Sequence, residues 1–144
     1  MGKRRSSREL ALKFLYQTEL NVGDISEQME IFLKAFPSQE DVEKYMIELV
    51  ETIRRHQTEI DELLEKYSEN WSLSRMTVID RNTLRIATAE LLFRKDVPPK
   101  VAIDEALEIA KKFGSEDSPD FVNGVLDRIK KEIEKELAGP PTGR

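Results

Sequence analysis

No glycine lies between Gly23 and Gly114, and no proline between Pro37 and Pro98. A strand-rich or loop-rich chain needs such breakers every few residues, so their absence over this span predicts helices. Leu, Ile, Glu and Lys fill the span, all residues that tolerate helix interiors. The chain has 144 residues, enough for one compact domain with its own core. It has no cysteine, which excludes a disulfide and a thiolate metal site. The expected fold class is all-α, with packing alone holding it together.

Apolar spacing divides the chain into about seven helices. The first is expected from Ser6 or Ser7 to about Leu20, with Ala11, Phe14, Leu15 and Thr18 facing inward. Asn21 to Asp24 reads as a turn, and Ser26 to Ala35 as the second helix, stopped by Pro37. Ser38 is the expected cap of the next helix, with Asp41 three residues on. Val42, Met46, Leu49, Ile53, Ile60, Leu63 and Tyr67 then alternate by four and three across His56. That seam reads as one long helix, or as two broken near Gln57-Thr58 with Thr58 as a cap. It is compatible with a bundle helix and with a coiled-coil homodimer. Between Val78 and Phe93 the apolar residues fall nearly all round, which predicts a buried central helix. Its polar residues are Asp80, Arg81, Asn82 and Arg85 near the start, and Glu90 spaced to pair with Arg94.

The stretch from Val97 to Ile129 reads as helix, turn, helix. Pro98 and Pro99 open the first helix, and Gly114 stands where a left-handed residue would end it. Ser118 is the expected N-cap of the last helix, with Pro119 and Asp120 in its first turn. Asn123-Gly124 inside that helix suggests either tight helix packing or close approach of a ligand or another backbone. The tail 139–144 is expected to be disordered.

Charge is uneven. The whole chain carries −5, yet residues 1–17 hold Lys3, Arg4, Arg5, Arg8 and Lys13 against Glu9 alone. An acidic body with one basic edge suits local contact with a polyanion. Arg4, Arg8, Leu12 and Tyr16 are four apart and share a helix face. Guanidinium groups beside an aromatic ring can neutralise phosphates and stack a base. The alternative is a solvated basic end with Tyr16 half-buried in the core.

Catalytic patterns are missing. No phosphate-binding loop, zinc-protease motif or nucleophile elbow occurs, and carboxylates lie along charged helix faces. His56, the only histidine, suits packing better than catalysis or metal binding. No enzyme activity, metal or cofactor is expected. No apolar run reaches the ~20 residues that span a bilayer. The start Met1-Gly2-Lys3-Arg4-Arg5-Ser6 fits a short myristoylation pattern that chance often supplies, and a cytoplasmic protein is the better reading.

Three stretches, RSSRELALKFLYQTEL, NWSLSRMTVIDRNTLRIATAELLF and DVPPKVAIDEALEIAKKFGSEDSPDFVNGVLD, together resemble the NusB family of bacterial transcription antitermination factors. The likeness covers nearly the whole chain, is weak over 21–70 and absent in the tail. It departs from the family at Asp104-Glu105-Ala106 and at Ala89-Glu90-Leu91. The resemblance implies two packed helical subdomains, about 1–70 and 71–138, forming a single RNA-binding domain over 1–138. It implies a partner, the ribosomal protein NusE, single-stranded boxA-type RNA as ligand, and a place in an RNA polymerase antitermination complex that supports ribosomal RNA transcription. Carried onto this sequence, the RNA surface would include Lys3, Arg4, Arg5 and Arg8, with Glu116, Asp117, Ser118 and Phe121 as a second part beside it. Tyr16 and Asp80 resemble positions at the NusE contact or the RNA border. Family members often carry richer arginine runs, so isolated RNA affinity is expected to be weak. The competing readings are a helical homodimer joined through the Val42–Tyr67 seam and a detached domain related to that of RNA cytosine methyltransferases.

Overall fold

The computed structural model describes residues 2–69 and 71–138, so the expected disorder of 139–144 lies outside the described residues. Among the described residues, seven α-helices and one short 3-10 turn appear in the order α1 (Lys3–Leu20), α2 (Ile25–Ala35), α3 (Glu40–Arg55), α4 (Gln57–Tyr67), a turn at Leu73–Arg75, α5 (Val78–Phe93), α6 (Pro99–Phe113) and α7 (Ser118–Ala138). There is no strand among the described residues.

Local chemistry sets the helix ends, and it departs from the sequence reading in several places. α1 begins at Lys3, a turn earlier than expected. Ser7 therefore lies inside α1: its buried hydroxyl, with one proton, sits 3.0 Å from the Lys3 carbonyl and 2.7 Å from the Val42 carbonyl, the shorter bond pinning α1 to α3. Asp24 caps α2 by accepting from the Ser26 N–H at 2.9 Å. Gln39, not Ser38, stands at the N-cap of α3, and the Ser38 N–H donates to Glu43 instead. The α3–α4 seam is two helices. They break at His56 rather than at Thr58, with the Ile60 N–H returning to the His56 carbonyl. The His56 ring stacks on Phe93 with centroids 4.0 Å apart, a packing role. Thr77 caps α5 through the Asp80 N–H at 3.0 Å.

Gly114 is needed, but not for a left-handed turn: its φ of −92° is ordinary. A Cβ there would lie 2.5 Å from Ser118 Oγ and 2.8 Å from the Ala110 carbonyl. Ser118 itself is the first residue of α7, and its hydroxyl accepts from the Ser115 N–H at 2.9 Å. Among the described residues, a Cβ at Gly124 would meet the Arg128 side chain alone, at 3.6 Å, so no neighbouring backbone packs closely against it.

α5 is the central helix, as its all-round apolar pattern predicts. It packs against α1, α3, α4, α6 and α7. The buried core is one cluster drawn from both halves of the chain, including Phe14, Met46, Leu49, Leu84, Ile109 and Leu126. Met46, Leu49, Ile53, Ile60 and Leu64 are buried within this single chain. Of the Val42–Tyr67 seam, Val42, Met46, Leu49, Ile53 and Ile60 are thus buried within the chain's own fold, and Leu63 and Tyr67 are partly buried against its core.

Candidate nucleic-acid interface

The basic end of α1 is an ion-pair network rather than a set of free cations. Lys3 pairs with Asp41 at 2.7 Å, and Arg4 with Asp96 at 3.0 Å. Arg5 forks onto Glu105 with bonds of 2.9 and 2.8 Å. Arg94 joins Glu48 and Asp96, and the Arg4 and Arg94 guanidinium groups lie over the Tyr45 ring, 4.1 and 4.8 Å from its centroid. The hydrogen bonds from Arg94 and Arg4 hold the Asp96 carboxyl down to about 2. Lys3 holds the Asp41 carboxyl below its ordinary range, and Arg5 does the same for Glu105.

Arg8, expected on this surface, is not on it. Arg8 is 3% exposed, and its Nε sits between the two oxygens of Glu90 at 3.1 and 2.9 Å. Tyr45 donates its hydroxyl to the same carboxylate, and burial followed by that bond pushes the Tyr45 phenol up. The reason is geometric. α1 packs along α5, so the face bearing Arg8 and Leu12 turns inward, and only a buried carboxylate can accompany the guanidinium. Glu90 therefore does not pair with Arg94. Tyr16, four residues beyond Leu12, emerges again at 42% exposure beside Leu20, Phe36 and Phe113, away from the paired guanidinium groups of Arg4 and Arg5.

The second expected part of the surface lies at the far end of α1. α1 and α6 run parallel: Arg4 lies near Pro98, Arg5 reaches Glu105, Glu9 meets Lys112 at 3.0 Å, and Tyr16 adjoins Phe113. The tip of α7 follows Gly114, so it stands roughly 20 Å from Arg4 at 1.5 Å per helical residue. The expectation that the cationic patch lies beside that tip is corrected. The two regions are opposite ends of one α1–α6 seam.

At the tip, Glu116 and Asp117 are exposed, whereas Ser118 is buried by its turn-closing bond and is not part of the surface. A cavity of about 290 Å³ opens there, lined by Trp71, Arg75, Met76, Asp80, Asp117 and Phe121 among others. Trp71 is 50% exposed and meets Phe121 edge-on, with centroids 6.4 Å apart. Of the polar residues at the start of α5, Arg81, Asn82 and Arg85 are all tied to Glu19 of α1, and Arg85 also to Asp61 of α4. Burial works to raise the Glu19 carboxyl, but Arg81 and Asn82 outweigh it and hold it low. Asp80 has no such partner: its Oδ1 is enclosed and accepts nothing among the described residues. Sequence reasoning brought Asp80, Asp117 and Phe121 forward from the resemblance. Trp71 and Arg75 lie between the α4 and α5 apolar patterns, where one tryptophan among serines is the available signal.

The NusB family model matches residues 5–131. The chain belongs to the NusB family. A transcription antitermination protein NusB from Desulfosudis oleivorans is 46% identical over 136 residues, covering 92% of this chain and 88% of that protein. NusB from Myxococcus xanthus is 47% identical over 133 residues, covering 90% and 95%. The crystal form of NusB from T. maritima superposes with a TM-score of 0.82 at 44% identity, covering 90% of this chain and 91% of that one. A chain from a crystal structure of the antitermination factors NusB and NusE in complex with double-stranded RNA superposes at 0.81 with 32% identity, covering 90% and 97%. No helix among the described residues is long and apolar enough to cross a membrane.

Proposed function

We propose that this chain is a cytoplasmic transcription antitermination factor. It binds boxA-type RNA together with the ribosomal protein NusE and joins an RNA polymerase antitermination complex, supporting ribosomal RNA transcription. The observation that carries this reading is NusB family membership over residues 5–131, together with the likeness to the NusB–NusE–RNA complex. The role is binding, not chemistry.

The RNA lies along the α1–α6 seam, with phosphates at Lys3, Arg4 and Arg5 and bases toward Glu116, Asp117 and Phe121. Phosphates exchange for Asp41, Asp96 and Glu105 as partners of those cations, so the net electrostatic gain is smaller than for free cations. That exchange supports weak binding by the chain alone and a need for NusE, whose contact includes Tyr16 and Asp80. Tyr16 stands at the mouth of an apolar groove, a surface suited to protein contact.

The test is an RNA-binding titration with and without NusE, using boxA RNA and a scrambled strand of equal length. The expected result is tighter binding of boxA RNA in the presence of NusE. Equal, weak binding of both strands with NusE present would overturn the reading.

A further inference from the structure

A groove of about 440 Å³ lies between α2 and α3. Ile25 and Met29 of α2 and Ile47 and Val50 of α3 form its apolar floor, and Arg54 and Arg55 stand at the end nearer α4. Val50 is buried, and the other three apolar residues are half-buried. The groove shares no lining residue with the basic end of α1, the Tyr16 groove or the cavity at the tip of α7. Asp41, the partner of Lys3, lies near the opposite end of α3 from Arg54, roughly 20 Å away at about 1.5 Å per residue.

Arg54 and Arg55 are exposed and have no ion-pair partner among the described residues. Every other described arginine except Arg75 is paired. Glu51, which also lines the groove one turn earlier, pairs with neither and leaves the lining net cationic. The dipole of α3 favours a cation in its last turn. It does not account for two unpaired arginines closing an apolar groove.

Charge and shape select the occupant. In a chain of net charge −5, two adjacent unpaired arginines attract an anionic partner. No aromatic ring lines the groove, so a nucleobase finds nothing to stack on. Isoleucine, valine and methionine suit aliphatic side chains, and methionine adapts to irregular ones. From Ile47 to Arg55 the groove runs about 12 Å, a little over two helical turns. Over that length an amphipathic helix lays down apolar side chains at i and i+4, and a carboxylate one turn on reaches the arginines.

We propose that the α2–α3 groove docks an acidic amphipathic helix of a partner protein. Two aliphatic anchors sit among Ile25, Met29, Ile47 and Val50, and carboxylates pair with Arg54 and Arg55. The groove is separate from the α1–α6 seam, so the chain holds this helix and RNA at the same time.

The chain has four methionines, and Met29 is the one that lines this groove. Met46 is fully buried, and Met76 lies in the cavity at the tip of α7. Methyl-labelled methionine therefore gives an NMR signal specific to the groove. The experiment titrates the full chain with a synthetic helix of about three turns carrying leucines at i and i+4 and flanking glutamates, and with its lysine counterpart. The acidic helix is expected to bind about tenfold tighter, the scale of two exposed ion pairs, and to shift the Met29 methyl but not that of Met46. High salt should shrink the preference. Arg54→Gln with Arg55→Gln, two exposed changes to another good helix former, should erase it. Equal binding of the two helices, an unmoved Met29 signal, or a preference that survives the double variant overturns the proposal. A uridine hexanucleotide that shifts Met29 and displaces the acidic helix overturns it in favour of RNA. A Met29 shift on concentrating the chain alone overturns it in favour of a second copy.

Discussion

Arg8 of α1 and Glu90 of α5 form an ion pair in which neither side chain is more than 4% exposed, with Arg8 Nε 2.9 Å from Glu90 Oε2. Arg8 also lies 3.6 Å from Glu105 of α6, and Tyr45 of α3 donates to Glu90. Four helices thus meet at one buried polar site, and a residue expected to touch RNA instead fixes the helix that carries the basic end.

That placement separates stability from RNA affinity at Arg8. Arg8→Ala strands a buried carboxylate and is expected to cost about 3–5 kcal/mol in urea unfolding. Exchanging both partners for apolar residues of similar size, Arg8→Met with Glu90→Leu, should recover much of that loss. At temperatures where Arg8→Ala is folded, its RNA salt slope should match the unmodified chain. A flatter slope would place Arg8 on the RNA.

At the exposed end, three cations remain available, so log K should fall with log salt at a slope of about −2 for single-stranded RNA. Arg4→Ala with Arg5→Ala should weaken every RNA alike and bring the slope toward zero. The network also predicts the opposite effect from its acidic members. Asp96→Asn and Glu105→Gln release Arg4 and Arg5 and should tighten binding, and Asp117→Asn should do so by up to about 1 kcal/mol by removing a charge near the strand. A filter or anisotropy titration over a salt series reads all of these. Weaker binding by Asp117→Asn would mean its carboxylate accepts a hydrogen bond from RNA or partner.

The Asp96 carboxyl, held at about 2 by Arg94 and Arg4, links this network to pH. Its folded value lies below the ordinary 3.8, so the stabilisation it provides is present above about pH 4. It is lost as pH falls through 2. A carboxyl-carbon NMR titration should show the Asp96 midpoint near 2. A midpoint near 3.8 would show that the pairing does not persist in solution.

The two glycines of the C-terminal helices should respond in opposite directions. Gly114→Ala drives a methyl group into Ser118 and the Ala110 carbonyl and should cost about 1–3 kcal/mol of stability. Gly124→Ala places its methyl group in ordinary contact with the Arg128 guanidinium, 3.6 Å away, and should be neutral or stabilising by up to about 1 kcal/mol. Thermal unfolding of the two variants under one buffer condition checks both signs.

The helical class, the burial of α5 and the start of α6 at Pro98-Pro99 were legible in the chain itself. Each depends on neighbours three or four residues apart or on proline's own ring, and local sequence contains that information. The NusB resemblance likewise came from ordered motifs along the chain. Helix ends were less legible: Ser38 and Ser118 look like caps, yet the Ser38 N–H bonds to Glu43 and Ser118 closes the turn before its own helix, while Ser7, an expected helix start, lies a turn inside α1 and bonds to α3.

What the sequence determined alone was periodicity: which residues share a face and which helix is central, while the break at His56 that splits the Val42–Tyr67 seam into α3 and α4 appeared only in the structure. Only the tertiary structure decided which charged residues are free. Lys3, Arg4, Arg5 and Arg8 look equivalent in one dimension, but their partners Asp41, Asp96, Glu105 and Glu90 lie between 38 and 100 residues away. Coulomb attraction and desolvation act through space, so pairing, burial and the unmet oxygen of Asp80 are settled when helices pack, not when they form.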